Sequence, residues 1–391
     1  MQNFKSLEDK ILSISPLLKQ IKISRFQNAL KAKLYPNFQE LKKLHIINIE
    51  SELRWYVIEI YNFDAKEEDK IISYEIVSTD EMQDESKRIE DDIYSVLESF
   101  LAELSGKEVF LHSHLELDLG LDSIDYVELF IFIEQSFGVE INEKIFSEMM
   151  NVKELYQYIK RDKKFIKSSD ITLVNVLKEP IDKKLMYSPW IMYLYKTLLF
   201  PIFKIYFRLD LKGCENIPKS ACIIAPSHQS MLDGFLIEAT LPYKILKNSF
   251  FLAYKKVFGT EILKPIADNG QTILIDANEN LKQTMQYSAL PIRMGKNLVI
   301  FPEGARSRDR KLLEFRPFFA MLSKVYDVPV VPVVIDGSFE ALRSGKRFPK
   351  PKKIHVTYLK PIYPQNLTID EIVTQTKESI NKEMKENPVL I

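Results

Sequence analysis

The sequence has 391 residues, of which 46% are hydrophobic and 28% charged, a balance typical of globular proteins with roughly two or three domains. This composition excludes collagen-like, mucin-like and disordered chains, and the 11 glycines exclude a glycine-rich repeat. Cys214 and Cys222 cannot form a disulfide framework and lack metal-site spacing, so a reducing compartment is favoured and no metal is expected.

The formal net charge of zero conceals an uneven distribution of charge along the chain. Residues 1–87 have a net charge of −2, whereas residues 88–162 contain 6 basic and 17 acidic residues, a net of −11. Residues 163–391 contain 35 basic and 22 acidic residues, a net of +13. This pattern predicts an acidic domain followed by a basic one, whose anionic partner is nucleic acid, anionic lipid or the acidic domain itself.

The first segment, residues 1–85, predicts a small α+β domain. A strand followed by a turn is expected at residues 32–38, a helix from residue 40, and further elements at residues 53–62 and 70–77. This order resembles the small C-terminal subdomain of acyl-adenylate-forming synthetases. The glycine–lysine motif and the large nucleotide-binding domain of those enzymes are missing, so no adenylation is expected. We interpret the segment as a remnant, or as a docking piece for a separate acyl-activating synthetase.

The acidic segment, residues 88–162, predicts a four-helix bundle. Apolar residues recur at helical spacing over residues 89–104, a second helix begins at Ser123 and ends at Gly138, and a short last helix covers residues 152–159. Taken alone, Ser123 is best interpreted as a helix cap, because serine is a favoured capping residue.

The wider stretch gives Ser123 a second interpretation. Residues 119–125, Leu-Gly-Leu-Asp-Ser-Ile-Asp, followed by Glu128-Leu129, resemble the modification site of acyl carrier proteins, and the resemblance covers the whole bundle. It implies that a phosphopantetheinyl transferase attaches 4′-phosphopantetheine to Ser123 and that the arm carries an acyl thioester. The helix N-terminus would favour the phosphodiester charge. Asp125, Glu128 and Glu134 would dock on basic enzyme surfaces, or form a solvated helix face.

Residues 186–207 predict an amphipathic helical segment before the next domain. The chain lacks a run of about 18 apolar residues that would predict a membrane-spanning helix, and residues 1–16 do not have a signal-peptide pattern. Aromatic residues with Lys196 and Lys204 between them favour a segment that lies in the membrane interface with its lysine stems extending outward. The alternative is a buried helix pair.

Residues 185–391 predict an α/β domain, because short apolar runs alternate with helical patterns. His228 and Asp233 form a His-x₄-Asp pair after the first of these runs. A lone loop histidine is more often structural. If functional, His228 is a general base supported by Asp233 that deprotonates a hydroxyl for attack on an acyl carbonyl. The Gly-x-Ser-x-Gly motif of serine nucleophiles is absent around Ser230. This absence favours direct attack by the substrate hydroxyl, with no covalent acyl-enzyme intermediate.

A second candidate element, Phe-Pro-Glu-Gly-Ala-Arg-Ser at residues 301–307, follows a later strand, where open α/β sheets tend to bind ligands. Gly304 permits close backbone approach, and Arg306 can bind a phosphate through two hydrogen bonds. Arg308, Arg310 and Lys311 would add positive charge, although a solvated basic loop explains the charge equally well.

These motifs, together with residues 328–333, resemble in order and spacing the first, third and fourth blocks of the glycerolipid acyltransferase family, over roughly residues 185–365. The resemblance implies that His228 and Asp233 are the catalytic dyad, and that Glu303, Gly304 and Arg306 bind the acceptor's phosphate. Residues 270–276 resemble the second block. The family often has arginine, asparagine and threonine where this chain has Ala277, Ser227 and Ala305, and these differences concern the identity of the acceptor.

Together these observations predict three domains, residues 1–85, 88–162 and 185–391, in a membrane-associated O-acyltransferase with its own acyl carrier. It would act at the cytoplasmic face of the membrane, in a peripheral or interfacial position. A fatty acyl group would pass from the carrier or from acyl-coenzyme A to a lysophospholipid, foremost 1-acylglycerol 3-phosphate, and give phosphatidate. The first alternative is a non-enzymatic carrier and scaffold for other lipid-synthesis enzymes. A second is nucleic-acid binding by the basic residues 343–353, but they carry no recognised nucleic-acid motif and phosphate or lipid explains their charge better, so no nucleic-acid partner is expected.

Overall fold

The computed structural model describes residues 4–26, 29–78, 91–166, 173–258, 264–276, 278, 281–343 and 348–386. The chain divides into two compact units, Met1–Lys178 with Ala277–Gln283, and Glu179–Asp276 with Thr284–Ile391. The expected segments 1–85 and 88–162 thus fall in one unit. Ala277, where the acyltransferase family often has arginine, lies outside the described residues.

The first unit begins with a small α+β domain. Its helices and strands are α1 (Lys5–Leu12), β1 (Leu18–Phe26), β2 (Ala29–Pro36), α2 (Phe38–Lys43), α3 (Ile49–Leu53), a π-helical stretch (Arg54–Glu59), α4 (Ile60–Asp64), a 3₁₀ turn (Glu67–Asp69) and β3 (Ile71–Ile76). In the described residues these strands form one sheet, in which β2 pairs antiparallel with β1 and parallel with β3. Residues 32–38 were expected to form a strand and then a turn: β2 ends at Pro36, and the Asn37 side chain accepts the Glu40 N–H and so starts α2.

The second part of this unit is a helical bundle. Within residues 91–166 its helices are α5 (Asp92–Ser105), α6 (Ser123–Phe137), α7 (Glu143–Phe146) and α8 (Val152–Asp162), and α9 (Leu173–Lys178) follows. Gly106 and Gly138 end α5 and α6 with φ of +66° and +69°, a conformation that favours glycine. The rings of Phe100 on α5 and Phe132 on α6 stack with centroids 3.9 Å apart, so the apolar faces of the two helices meet.

The second unit is an α/β domain built on a mostly parallel sheet. Its helices and strands are α10 (Pro189–Tyr206), β4 (Asp210–Lys212), β5 (Ile223–Pro226), α11 (Asp233–Thr240), α12 (Tyr243–Leu246), β6 (Ser249–Tyr254), α13 (Lys255–Phe258), α14 (Lys264–Asn269), β7 (Thr272–Ile275), α15 (Leu281–Arg293), β8 (Asn297–Val299), α16 (Phe318–Tyr326), β9 (Val330–Asp336), α17 (Ser338–Ala341), β10 (His355–Tyr358) and α18 (Ile369–Glu386). Among the described residues the sheet order is β4-β10-β9-β5-β8-β6-β7. Strands β9 and β10 are antiparallel, and the other neighbouring pairs are parallel.

The centre of this sheet positions the two candidate motifs. Strands β5 and β8 are parallel neighbours, with Ile223 opposite Leu298 and Ile224 opposite Val299. All four side chains are fully buried, which explains why these strands read as continuous apolar runs. Because parallel strands end at the same edge, the loops after β5 and β8 emerge side by side.

Helix α10 presents one apolar face to its own domain and another to the surface. Met192 and Phe203 are buried, whereas Trp190 and Ile205 are 80% and 78% exposed. The exposed row also contains Leu194, Leu198 and Ile202. Every helix in the described residues is too short or too polar to span a lipid bilayer.

The two lysines of α10 differ in exposure: Lys196 is partly buried, whereas Lys204 is exposed. The Lys196 ammonium donates to the Ala239 carbonyl oxygen at 2.5 Å, near the end of α11, and the Lys204 ammonium donates to the Leu209 carbonyl oxygen at 3.1 Å. The attraction of a cation to unpaired carbonyl groups at a helix end explains the Lys196 contact.

Candidate active site and carrier site

The structure brings His228 and Asp233 together at the carboxyl end of β5. The Nδ1 atom of His228 lies 3.0 Å from Asp233 Oδ2, which also accepts the backbone N–H groups of Gln229 at 2.6 Å and Ser230 at 2.7 Å. Asp233 is fully buried as the first residue of α11, whereas the His228 side chain is 21% exposed. With Nδ1 protonated and donating to Asp233, Nε2 is the basic nitrogen.

The surroundings of the His228 ring restrict its orientation. The ring packs against Phe301, with centroids 4.2 Å apart and planes inclined by 32°. No role was expected for Phe301 from the sequence, although it stands at the start of the 301–307 motif. The hydroxyl of Ser230 donates to the Leu342 carbonyl oxygen at 2.8 Å, so the serine nearest the dyad is engaged by the backbone.

Glu303 lies under the His228 loop and is only 4% exposed. Its Oε1 accepts the backbone N–H of His228 at 2.7 Å, and its Oε2 accepts the N–H of Leu313 at 2.8 Å. Ser307 closes the same connection, because its N–H donates to the His228 carbonyl oxygen at 2.9 Å. Burial of the Glu303 carboxyl raises its pKa to about 8. The observed contacts therefore connect the Glu303 carboxylate to the backbone of His228 and of Leu313.

The remaining residues of the second motif differ in their surroundings. Gly304 is exposed and has a φ of +62°, which favours glycine, and Arg306 is partly buried. Arg310 forms ion pairs with Asp336 at 2.8 Å and Glu340 at 3.3 Å. These two carboxylates neutralise the Arg310 charge, so Arg310 does not supply the positive field expected from the sequence.

Ser123 lies at the first residue of α6, but Asp122 caps this helix. The Asp122 side chain accepts the N–H groups of Ile124 at 2.8 Å and Asp125 at 3.3 Å, and the Asp125 carboxylate accepts the Asp122 N–H at 2.7 Å. The cap expected at this Asp-Ser pair is therefore Asp122 and not Ser123. The partly buried Ser123 hydroxyl donates instead to Asn48 Oδ1 at 3.0 Å.

This geometry fits an ester-linked group on Ser123, because esterification leaves the helix cap intact. It also corrects the expected electrostatics, since Asp122 already occupies the N–H groups of Ile124 and Asp125 that would otherwise favour a phosphodiester. Glu128 is not a fully solvated docking acid, because burial raises the pKa of its carboxyl and the charge of Glu103 raises it further. The sequence contained no signal that would have identified Asn48.

Comparison with known proteins identifies two families along the chain. Residues 208–336 match the family model described as Acyltransferase, and residues 92–159 match that of the phosphopantetheine attachment site. A 1-acyl-sn-glycerol-3-phosphate acyltransferase of Limnanthes douglasii is 32% identical over 167 residues, which cover 42% of this chain and 58% of that protein. An acyl carrier protein of Phytoplasma mali is 36% identical over 72 residues, 18% of this chain and 86% of that protein.

A crystal structure of the 1-acyl-sn-glycerophosphate acyltransferase from Thermotoga maritima is 21% identical, with a TM-score of 0.46, and covers 52% of this chain and 81% of that one. The chain spans little more than half the length of the curated acyltransferases it matches. The match to the carrier protein is nearly complete and supports 4′-phosphopantetheine as the prosthetic group. The chain therefore belongs to the acyl carrier protein family over its helical bundle, and a segment that matches the Acyltransferase family model follows this carrier.

Proposed function

We propose that this protein transfers a fatty acyl group from a thioester donor to the free hydroxyl of a lysophospholipid, with 1-acylglycerol 3-phosphate as acceptor and phosphatidate as product. The observation that carries the proposal is the His228–Asp233 pair at the carboxyl end of a central strand, in which the buried Asp233 carboxylate holds the His228 ring. The family match over residues 208–336 supports the same reaction class.

In the proposed reaction His228 acts as the base. Its Nε2 takes the proton from the acceptor hydroxyl, while Asp233 holds Nδ1–H and stabilises the imidazolium charge. The acceptor oxygen forms a bond to the thioester carbonyl carbon, the carbon–sulfur bond breaks, and the departing thiolate takes the proton from His228. A one-step transfer of this kind needs no serine nucleophile, which agrees with the engagement of the Ser230 hydroxyl by Leu342.

We assign acceptor binding to the loop after β8. Arg306 would bind the phosphate through its guanidinium, and the exposed Gly304 would let the backbone approach it. Glu303 would act within this loop through its hydrogen bond to the His228 N–H.

The carrier bundle would supply the donor. Ser123 is the proposed attachment residue, and phosphopantetheine attached there supplies a terminal thiol that holds an acyl group as a thioester. A carrier in the same chain gives the transferase a donor at high effective concentration, in keeping with the acidic and basic charge of the two segments.

The membrane interface is the proposed location, on its cytoplasmic face. The exposed row on α10, Trp190, Leu194, Leu198, Ile202 and Ile205, would enter the lipid headgroup region. A lysophospholipid is itself a membrane lipid, so this position would bring the site to its acceptor.

The test uses the full chain co-expressed with a phosphopantetheinyl transferase and loaded with labelled palmitate. Lysophosphatidate vesicles are added, and label in phosphatidate is measured for the parent and for His228→Ala. The matched control is His355→Ala, because His355 Nδ1 also lies 3.1 Å from a carboxylate, that of Asp210. We expect transfer by the parent and by His355→Ala, and at least about a 100-fold loss in His228→Ala.

Transfer that persists in His228→Ala would contradict the proposal and favour a non-enzymatic carrier that serves other enzymes. A Ser123→Ala variant separates the donors. It should fail to transfer from the carrier, and palmitoyl-coenzyme A supplied in solution then shows whether free thioesters are used as well.

A further inference from the structure

The α+β domain, residues 4–76, packs directly on the carrier bundle around its attachment serine. The backbone N–H groups of Ile49 and Glu50 donate to the two carboxylate oxygens of Glu116, at 2.6 and 2.9 Å. The Lys42 ammonium lies 2.8 Å from a carboxylate oxygen of Glu154 on α8. Polar contacts at two separate places therefore fix the orientation of the α+β domain on the bundle.

Apolar side chains cross the same boundary. Met150 of the bundle is 8% exposed and belongs to the hydrophobic core of the α+β domain. The Phe38 ring lies 5.5 Å from the His114 ring, and Ile47 lines one cleft with Tyr126 of α6. The contact thus buries apolar surface as well as satisfying polar groups, as a specific domain interface does.

The attachment serine is part of this interface. The Ser123 hydroxyl donates to Asn48 Oδ1 at 3.0 Å, and Asn48 immediately precedes the Ile49 and Glu50 N–H groups that bind Glu116. Any enzyme that modifies Ser123 must reach its hydroxyl oxygen. While the α+β domain is docked on the bundle, the hydroxyl hydrogen is already bonded to Asn48 Oδ1.

We propose that the α+β domain is a cover for Ser123, which competes with the phosphopantetheinyl transferase and is loosened once the arm is attached. This inference rests on the proposed role of Ser123. It gives the α+β domain a task within its own chain that requires no adenylating activity.

The chemistry of attachment explains the loosening. Ser123 Oγ forms a bond to the β-phosphorus of coenzyme A, the bond from that phosphorus to the bridging oxygen breaks, and adenosine 3′,5′-bisphosphate leaves as the hydroxyl proton is released. The resulting ester oxygen cannot donate to Asn48. The attached phosphodiester also adds negative charge and bulk at a residue flanked by Asp122 and hydrogen-bonded to the α+β domain.

The first experiment measures the rate at which a purified transferase labels the apo full chain from fluorescent coenzyme A. The variants are Asn48→Ala, which removes the acceptor without removing a helix cap, and Lys42→Glu, which places like charges opposite each other. The control is Lys43→Glu, because Lys43 is 72% exposed and pairs with Glu40 of its own helix. We expect labelling about 3- to 10-fold faster in both interface variants and unchanged in the control.

If the parent, Asn48→Ala and Lys42→Glu are labelled at equal rates and their melting curves show folded proteins, the proposal that the α+β domain covers Ser123 is overturned. Ser123→Ala separates this failure from that of the proposed function. If that variant still takes up label, the attachment site itself is misassigned.

The second experiment compares backbone hydrogen exchange of residues 42–53 in the apo and modified forms of the parent chain. Weaker docking opens the Ile49 and Glu50 N–H groups, so we expect exchange there to be at least about threefold faster after modification. Identical exchange in the two forms would refute the loosening.

Discussion

Glu303→Gln tests whether the buried carboxyl under the dyad loop positions His228 or binds the acceptor. The Glu303 carboxylate accepts N–H groups with both oxygens, at 2.7 Å from His228 N and 2.8 Å from Leu313 N. Glutamine has the same size but one acceptor oxygen, so its NH₂ group must face one of these two donors. Leaving a buried donor unsatisfied costs about 1–3 kcal/mol, and at 1.36 kcal/mol per tenfold this predicts a kcat lower by about 5- to 160-fold.

The pH dependence of this loss makes the test specific. Burial raises the pKa of Glu303 to about 8, so the acid is protonated at pH 6.5 and ionised at pH 9. A protonated carboxyl, like an amide, presents one strong acceptor oxygen. The ratio of parent to variant kcat should therefore be small at pH 6.5 and reach the predicted range at pH 9.

The assay is palmitoyl transfer to lysophosphatidate, with kcat and KM determined at both pH values. Glu314→Gln is the matched control, because Glu314 is 93% exposed and pairs with Lys377 on the surface. A raised KM for lysophosphatidate with unchanged kcat would refute positioning and assign Glu303 to acceptor binding, as the family resemblance implies. A ratio of kcat values that does not change with pH would also contradict the reasoning.

Three further predictions concern the dyad, the bundle and the exposed helix. Asp233→Asn should lower kcat by about 1,000-fold or more, because an amide no longer fixes the His228 tautomer, and a loss below tenfold in a folded variant would contradict the dyad. Burial lowers the pKa of His114 from 6.5 to about 4, so the folded bundle binds fewer protons than the unfolded chain and its stability falls as pH drops from 6.5 towards 4. The loss of unfolding free energy is about 3 kcal/mol. It is measured by Trp55 fluorescence during urea unfolding in a Trp190→Phe background, and His114→Asn should abolish it. If His114→Asn leaves the pH profile of stability unchanged, His114 is not the cause of the pH dependence. Ile205→Glu should reduce sedimentation with phosphatidylglycerol vesicles at least about fivefold without changing the melting temperature, and equal sedimentation would exclude α10 as the contact.

The sequence predicted a strand that is buried on both faces of the sheet, but it did not predict a strand that is defined only by its pairing with a neighbour. Strand β5, Ile223–Pro226, has four buried residues and coincides with the first of the expected apolar runs, just before the His-x₄-Asp pair. A short apolar run is a pattern that depends on local composition. Strand β4 was not expected from the sequence, because Asp210–Lys212 has three residues and is a strand only through its parallel pairing with β10.

Side-chain roles were predictable only when the partner lies nearby in the chain. His228 and Asp233 are five residues apart, and this spacing predicted the observed hydrogen bond. The hydrogen bond of Lys196 was not predictable, because the Ala239 carbonyl oxygen that accepts it is 43 residues away. The contact between Ser123 and Asn48 spans 75 residues and two domains, so neither local pattern nor charge could reveal it.

The relation between the two acyltransferase motifs follows from the order of the sheet. In sequence, residues 227–233 and 301–307 are separate blocks, to which the family resemblance gives separate tasks. Because β5 and β8 are parallel neighbours, the second block reaches the first and binds both backbone groups of His228, through the Glu303 carboxylate and the Ser307 N–H. A substitution in the second block should therefore alter the base as well as acceptor binding, and a change in KM alone would show that the two blocks act independently.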